Sequence, residues 1–242
     1  MQRPQRPLLL SIDRRATVVE LRERAAQATS NGLDGVEWRP AVGSALHGTA
    51  IAQLDGIPIR ALALGCEMTD VPSTAAYVSS QFQAAASLGA KVLNLSIPPL
   101  RRGADGVGFT RYPNALNFAY ELLRRLRIEA EAAGVTVALE AAKDGSLLSP
   151  VEVGELIDAV NSPAVGVCLD VERIASIGSP LDWIRTLHRR ILAVRFGGAA
   201  SQTSQMPIAG LTQALEDIPL DCPLILSQMA ARSEFAGKRC DG

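Results

Sequence analysis

Histidine is almost missing from this chain: 242 residues contain two, His47 and His188, so a histidine-rich multi-metal centre cannot be assembled from it. Cysteine is scarce as well. Cys66, Cys168, Cys222 and Cys240 lie far apart, and without a C-x-x-C pair nothing signals structural zinc or dithiol redox chemistry. They are expected to be buried or spectator thiols, Cys168 being the one worth inspecting as a nucleophile against its simpler reading as a small core residue. Neither sign of charge dominates. Twenty-four Lys and Arg stand against 25 Asp and Glu, a net charge of −1, so no global field draws polyanions and nucleic acid is not an expected partner. No long hydrophobic run follows Met1-Gln2-Arg3-Pro4-Gln5-Arg6-Pro7; the four apolar or small residues after it are too few for a signal sequence or a membrane span. The expectation is a cytoplasmic, soluble protein. No Pro-, Gly- or Ser-rich linker divides the chain, and 48% apolar content supplies one large core, so residues 1–242 are read as a single domain.

What the chain does have is rhythm. In Val135-Thr136-Val137-Ala138-Leu139-Glu140, a period of two puts Val135, Val137 and Leu139 on one face and Thr136, Ala138 and Glu140 on the other. Val165-Gly166-Val167-Cys168-Leu169-Asp170 repeats the pattern, and Ile191-Leu192-Ala193-Val194-Arg195 nearly does. Bulky residues on one face with small or charged ones on the other suit a parallel strand, helices outside and a crowded barrel axis inside. Strand-like runs cover 8–13, 35–38, 59–66, 91–97, 135–140, 165–170, 191–196 and 224–227. Between them lie helix starts: a capping box in Thr17-Val18-Val19-Glu20, the same box with proline in Ser149-Pro150-Val151-Glu152, and a variant in Ser179-Pro180-Leu181-Asp182. Helical patterns also fit 73–88, 113–133 and 208–217, with Gly32, Gly89 and Gly134 placed as C-caps. Eight such alternations imply a closed (β/α)8 barrel over an open Rossmann-like sheet, since no G-x-G-x-x-G follows the first strand. Two features strain that reading. Only a short helix fits 45–54, and about fifteen residues remain after Ser227 for a shortened C-terminal helix. A side left uncovered in this way would be closed by pairing into a homo-oligomer.

The segments Gly32-Leu33-Asp34-Gly35-Val36-Glu37, Leu88-Gly89-Ala90-Lys91-Val92, Ala133 to Glu140 and Val165 to Asp170 resemble the sugar phosphate isomerase/epimerase family, the xylose isomerase-like TIM barrels. Each motif is weak alone; their order and spacing run from the first strand to the eighth. The resemblance implies one divalent metal held by Glu, Asp, His and a second Glu from strands five to eight, polarising a hydroxy-carbonyl while carboxylates shuttle a proton. Carried over, the first two ligands are Glu140 and Asp170. The other two are replaced: Arg195 stands where the histidine is expected, and Ser227 (Gln228 with a one-residue slip) where the second Glu is. Arg173 replaces a histidine that often follows the strand-six Asp. Neither His47 nor His188, which precedes strand seven at the far end of the barrel, restores the set.

Arginine offers no lone pair and keeps its proton, so it cannot ligate a metal. No tightly bound divalent metal or other cofactor is therefore expected, and Glu140 and Asp170 need a cation to hold them ionised; Arg195 and Lys143 are the candidates. The inward polar set at the C-terminal face comprises Asp13, Glu37, Asn94, Ser96, Glu140, Lys143, Asp170, Arg173, Arg195 and Ser227. As a catalytic site, Glu140 or Asp170 would be the general base, and Arg195 or Lys143 would stabilise the developing enediolate oxygen. A Schiff base on Lys143 is the less supported variant. Glu37, Asn94, Ser96, Arg173 and Ser227 would bind substrate, a small carbohydrate or anionic ligand. The plainer reading makes Glu140, Asp170 and Arg195 a structural ion network, and Asn94 and Ser96 polar barrel fillers. Arg101-Arg102-Gly103 and Gly197-Gly198 could meet a phosphate by charge and by backbone N–H groups, or be ordinary turns. Arg124, Arg125 and Arg127 read as an exposed helix face, and Trp38 and Trp183 as packing residues. The competing functions are a divergent isomerase, epimerase or lyase and a noncatalytic barrel that binds a small anion or supports a partner protein. An apurinic endonuclease relative would need the histidines and the basic face that the chain lacks.

Overall fold

The alternation read along the strands becomes a closed, all-parallel barrel whose eight strands neighbour one another in sequence order. Its strands are β1 (Leu8–Ile12), β2 (Gly35–Trp38), β3 (Ile59–Gly65), β4 (Val92–Ser96), β5 (Thr136–Glu140), β6 (Val165–Asp170), β7 (Ile191–Phe196) and β8 (Leu224–Leu226). Pairing of Leu9 with Ile225 and Leu10 with Leu226 closes the ring. Around it run α1 (Val18–Ser30), α2 (Gly48–Gln53), α3 (Val71–Leu88), α4 (Tyr112–Ala133), α5 (Pro150–Val160), α6 (Val171–Ala175) and α7 (Pro180–Leu187). This computed structural model describes residues 6–12, 16–41, 46, 48–65 (48–50 by backbone only), 70–97, 112–141, 147, 149–197, 213–216, 218–219 and 221–227. The expectations for Asp13, His47, Cys66, Arg101-Arg102-Gly103, Lys143, Gly198, Gln228, Cys240 and the closing helix lie outside those residues. Of the 208–217 helix, 213–216 is helical and the rest falls outside.

Two apolar layers follow from the period of two. Outward residues such as Leu10, Val36, Leu62, Leu93, Val137, Val167 and Val194 pack against the helices in the larger cluster. Leu9, Ala61, Val92, Ala138, Cys168, Ala193 and Ile225 form a separate cluster inside the ring. Four of those seven are Ala or Cys because an eight-stranded ring leaves just enough space for side chains to fill.

Two register shifts aim the strand ends. Between β2 and β3 the register slips at Val36/Glu37, beside Gly35, whose φ of 152° and neighbour Pro58 leave no room for a side chain: a Cβ there would stand 2.3 Å from the Pro58 carbonyl oxygen. Between β6 and β7, Val167 faces Ile191 but Cys168 faces Ala193, so Leu192 is the extra residue, and this is why the alternation of β7 was imperfect. Leu192 packs against the inner cluster over Gly166, where a Cβ would lie 2.6 Å from Leu192 Cγ.

The helix starts divide. Thr17 and Glu20 form the expected reciprocal box, and Ser179 Oγ accepts from the Asp182 backbone N–H at 3.3 Å. Ser149 makes no side-chain cap bond; Glu152, the expected partner in that box, instead accepts from the Tyr112 hydroxyl at 2.7 Å, tying α5 to the start of α4. The short helix expected within 45–54 is α2, and α6 was not anticipated. Among the described residues no helix is long and apolar enough to cross a membrane.

Candidate active site

The C-terminal strand ends meet in one buried polar layer above the small inner residues. Arg195, near the end of β7, donates from Nη2 to Glu37 Oε1 at 2.6 Å and from Nη1 to Glu140 Oε1 at 2.7 Å. Glu37 on β2 also accepts from Asn94 Nδ2 on β4 at 2.6 Å and from Ser11 Oγ on β1 at 2.7 Å. Glu140 on β5 accepts from Ser96 Oγ on β4 and from Arg39 Nη2 at 3.3 Å. Five strands thus contribute side chains to one network whose centre is a guanidinium.

Burial sets its electrostatics. Glu37 is fully enclosed, and burial alone would push its carboxyl up; Arg195, aided by Ser11 and Asn94, outweighs that and holds it below the usual carboxylate range. For Arg195 burial opposes the charge, and Glu37 and Glu140 reverse the balance, so its pKa stands well above the ordinary value. Cys168 lies directly beneath. Burial raises its thiol well above the usual range, against the pull of Arg195, which fits the core residue and not the nucleophile. Cys222 is likewise buried, its thiol pushed up to about 12. Two atoms in the layer, Arg195 Nε and Asn94 Oδ1, are buried without a hydrogen-bond partner among the described residues.

The sequence expected Arg195 to hold Glu140 and Asp170 together; its carboxylate partners are Glu37 and Glu140. Asp170 turns aside because α6 begins at the next residue: its Oδ1 accepts from the Arg173 N–H at 3.1 Å as the N-cap, and its Oδ2 lies 4.0 Å from Arg173 Nε. Its side chain remains 17% exposed and that of Arg173 39%, which puts both at the rim. Asn94 and Ser96 face inward as expected, their donors committed to the two glutamates. Ser227 is exposed and donates to the Phe196 carbonyl at 2.9 Å. Trp183 is buried packing, and half-buried Trp38 packs against the outer core.

Three participants were missed, the first being Ser11, which shares the parity of inward Leu9 and donates to Glu37. Arg39, two residues beyond Glu37 and so of the same parity, reaches Glu140; extending the period of two past the strand end would have found it. Glu172 on α6 sets its carboxylate where a Cβ on residue 197 would lie, 1.6 Å from Oε2, so Gly197 clears space for an acid; no phosphate is required to explain this glycine. No local sequence signal links those two positions.

The donor set does not suit the dication that the resemblance implies. A guanidinium occupies the centre, one retained acid is bonded to it, and among the described residues no group of three or more His, Cys, Asp or Glu converges as metal ligands do. The arrangement offers a charge-compensated floor, Arg195 and Arg39 against Glu37 and Glu140, under a rim that carries Asp170 and Arg173.

The structure resembles D-psicose 3-epimerase with D-tagatose from Clostridium cellulolyticum H10 (TM-score 0.72, 16% identity, 90% of this chain and 84% of that one). It also resembles the 3-keto-D-glucoside 4-epimerase YcjR from E. coli (TM-score 0.72, 13% identity, 97% and 100%) and the IOLI protein with a binding zinc atom (TM-score 0.66, 15% identity, 91% and 88%). At these identities the likeness is one of fold. No curated protein matches at the level of sequence. The model of the xylose isomerase-like TIM barrel matches residues 25–226, which spans seven of the eight strands, and the chain belongs to that family.

Proposed function

We propose that this protein is a divergent sugar isomerase/epimerase-type barrel that takes a small polyol, keto-sugar or sugar phosphate at its C-terminal mouth without a tightly bound divalent metal. The observation that carries this reading is Arg195, clamped at 2.6 and 2.7 Å between Glu37 and Glu140 where the family resemblance expects a dication. The guanidinium there, with Arg39 beside it, balances the charge that Glu37 and Glu140 would otherwise set beneath the bound sugar. In a catalytic version, Asp170 is the better base: it is partly exposed at the rim and only loosely paired with Arg173, whereas Glu140 already accepts from Arg195, Arg39 and Ser96. Lys143, three residues past Glu140, is the second candidate for stabilising an enediolate oxygen.

One observation favours a noncatalytic alternative, a barrel that binds a small anionic ligand or supports a partner: both terminal nitrogens of Arg195 are already taken by protein carboxylates. Calorimetry with keto-sugars, polyols and sugar phosphates in the presence of chelator tests binding. NMR of bound keto-sugars in D2O tests turnover through exchange of the proton beside the carbonyl. Binding with exchange supports the enzyme, and binding without exchange supports the alternative. A stoichiometric divalent ion that survives purification, with binding abolished by chelator, overturns the metal-free reading.

A further inference from the structure

At the opposite, N-terminal end of the barrel, described residues line a cavity of about 570 Å3. Its size falls within the range of small-molecule sites, roughly 300–1,000 Å3, and it has their make-up of an apolar wall with a few polar groups. The cause lies in the strands. The inner layer is mostly small, and the register shift on β7 swings Leu192 beneath it, so that Leu9, Val92, Leu192 and Pro223 form the wall. Leu9 is fully buried at the inner end; an occupant would meet Val92 and Leu192 first.

The rim carries Asp34, Arg60, Lys91 and Asp221, two charges of each sign, but they are not equally available. Asp34 accepts from the Leu8 backbone N–H at 2.8 Å, and Asp221 lies in the field of Arg6. Arg6 is itself bound to the carbonyls of Leu215, Ile218 and Pro219. By contrast Arg60 has a single long contact, 3.5 Å to the Asp34 carbonyl, and exposed Lys91 has no side-chain partner among the described residues. Asp34 is engaged by a backbone N–H, whereas Lys91 and, apart from that one long contact, Arg60 are left available.

We propose that this cavity is a second ligand site, separate from the C-terminal mouth, for a small amphipathic anion: an apolar body against Val92 and Leu192, and a carboxylate or similar head between Lys91 and Arg60. An extended or ring-shaped body of six to ten carbons is the class that fits, and sugars are disfavoured because the wall offers them few hydrogen-bonding groups.

Octanoate, octylamine and octan-1-ol, which share one chain length, serve as calorimetric probes on the full chain. The site predicts that octanoate binds at least about tenfold more tightly than either of the others, since a charge-assisted contact is lost in both. Lys91→Gln, an exposed change that leaves the fold intact, should cost octanoate about fivefold or more while leaving octan-1-ol unchanged. Protection of the Val92 and Leu192 methyl resonances should accompany octanoate binding. Equal affinity for the three probes, no loss in Lys91→Gln, or methyl shifts confined to the opposite mouth each overturn the proposal.

Discussion

At the residue scale the molecule turns on one buried guanidinium and two buried acids, of which Glu37 is fully enclosed. A buried ion pair stabilises only when both partners stay, because the charge left behind is neither solvated nor bonded. Arg195→Met should therefore cost about 3–5 kcal/mol in denaturant unfolding, the usual penalty for orphaning buried carboxylates. Adding Glu37→Leu to that variant should recover part of the loss, since the orphan is removed. An Arg195→Met variant as stable as wild type would mean that the glutamates find other donors. Acid sensitivity follows from the same group. The carboxyl of Glu37 is held below its unfolded value, so its contribution is present above the unfolded pKa of about 4.3 and is lost as pH falls through the lower folded value. Glu37→Gln should accordingly be less stable than wild type at pH 7 yet lose less on going to pH 3, as read by urea midpoints at the two pH values. The types of these residues were legible in the sequence, as was the inward aim of Glu37, Asn94, Ser96, Glu140 and Arg195. Their partnerships were not: Asp170 was assigned to Arg195 because strand parity says nothing of a helix that starts one residue later and draws the carboxylate to its own free N–H groups.

At the element scale, strands were easier to read than helix ends. A period of two survives in the sequence because each strand must show small residues to a narrow interior and large ones to the helices. A capping box depends instead on a side chain having no better offer. Glu152 has one, the Tyr112 hydroxyl at 2.7 Å, and a partner forty residues away leaves no local trace. Tyr112→Phe should loosen that tie between α4 and α5 by about 1 kcal/mol, the net value of a typical hydrogen bond. Gly35 is the opposite case, an element-scale demand visible as one letter. Its φ of 152° and the 2.3 Å approach of Pro58 mean that Gly35→Ala must push β2 away from β3 at the register shift that aims Glu37. The expected cost is roughly 2 kcal/mol or more in unfolding free energy. A neutral result would show that the β2 edge can slide without disturbing the layer above it.

At the scale of the whole molecule, the barrel and its charged centre are coupled, because five strands send side chains to one network and anything bound there resists opening of the ring. An internal cation and an external one would be alternative fasteners for the same strand ends. In Arg195→His with Ser227→Glu, the fixed cation is exchanged for two ligating groups, joining Glu140 and Asp170, while Glu37 is left uncompensated. Without metal that variant should melt roughly 6–12 °C below wild type, taking about 3 kcal/mol at some 2–4 °C per kcal/mol for a chain of this size. A divalent ion at about one hundred times its Kd would then return about 2.7 kcal/mol, most of the loss, because it binds only the closed ring. Thermal melts of both proteins with chelator and with Mn2+ read the difference directly. The double variant should respond to the ion and the wild type should not. A wild-type melting temperature that drops on adding chelator would mean that the guanidinium at the centre coexists with an ion, and Arg195 would then be a neighbour of the metal and not its replacement.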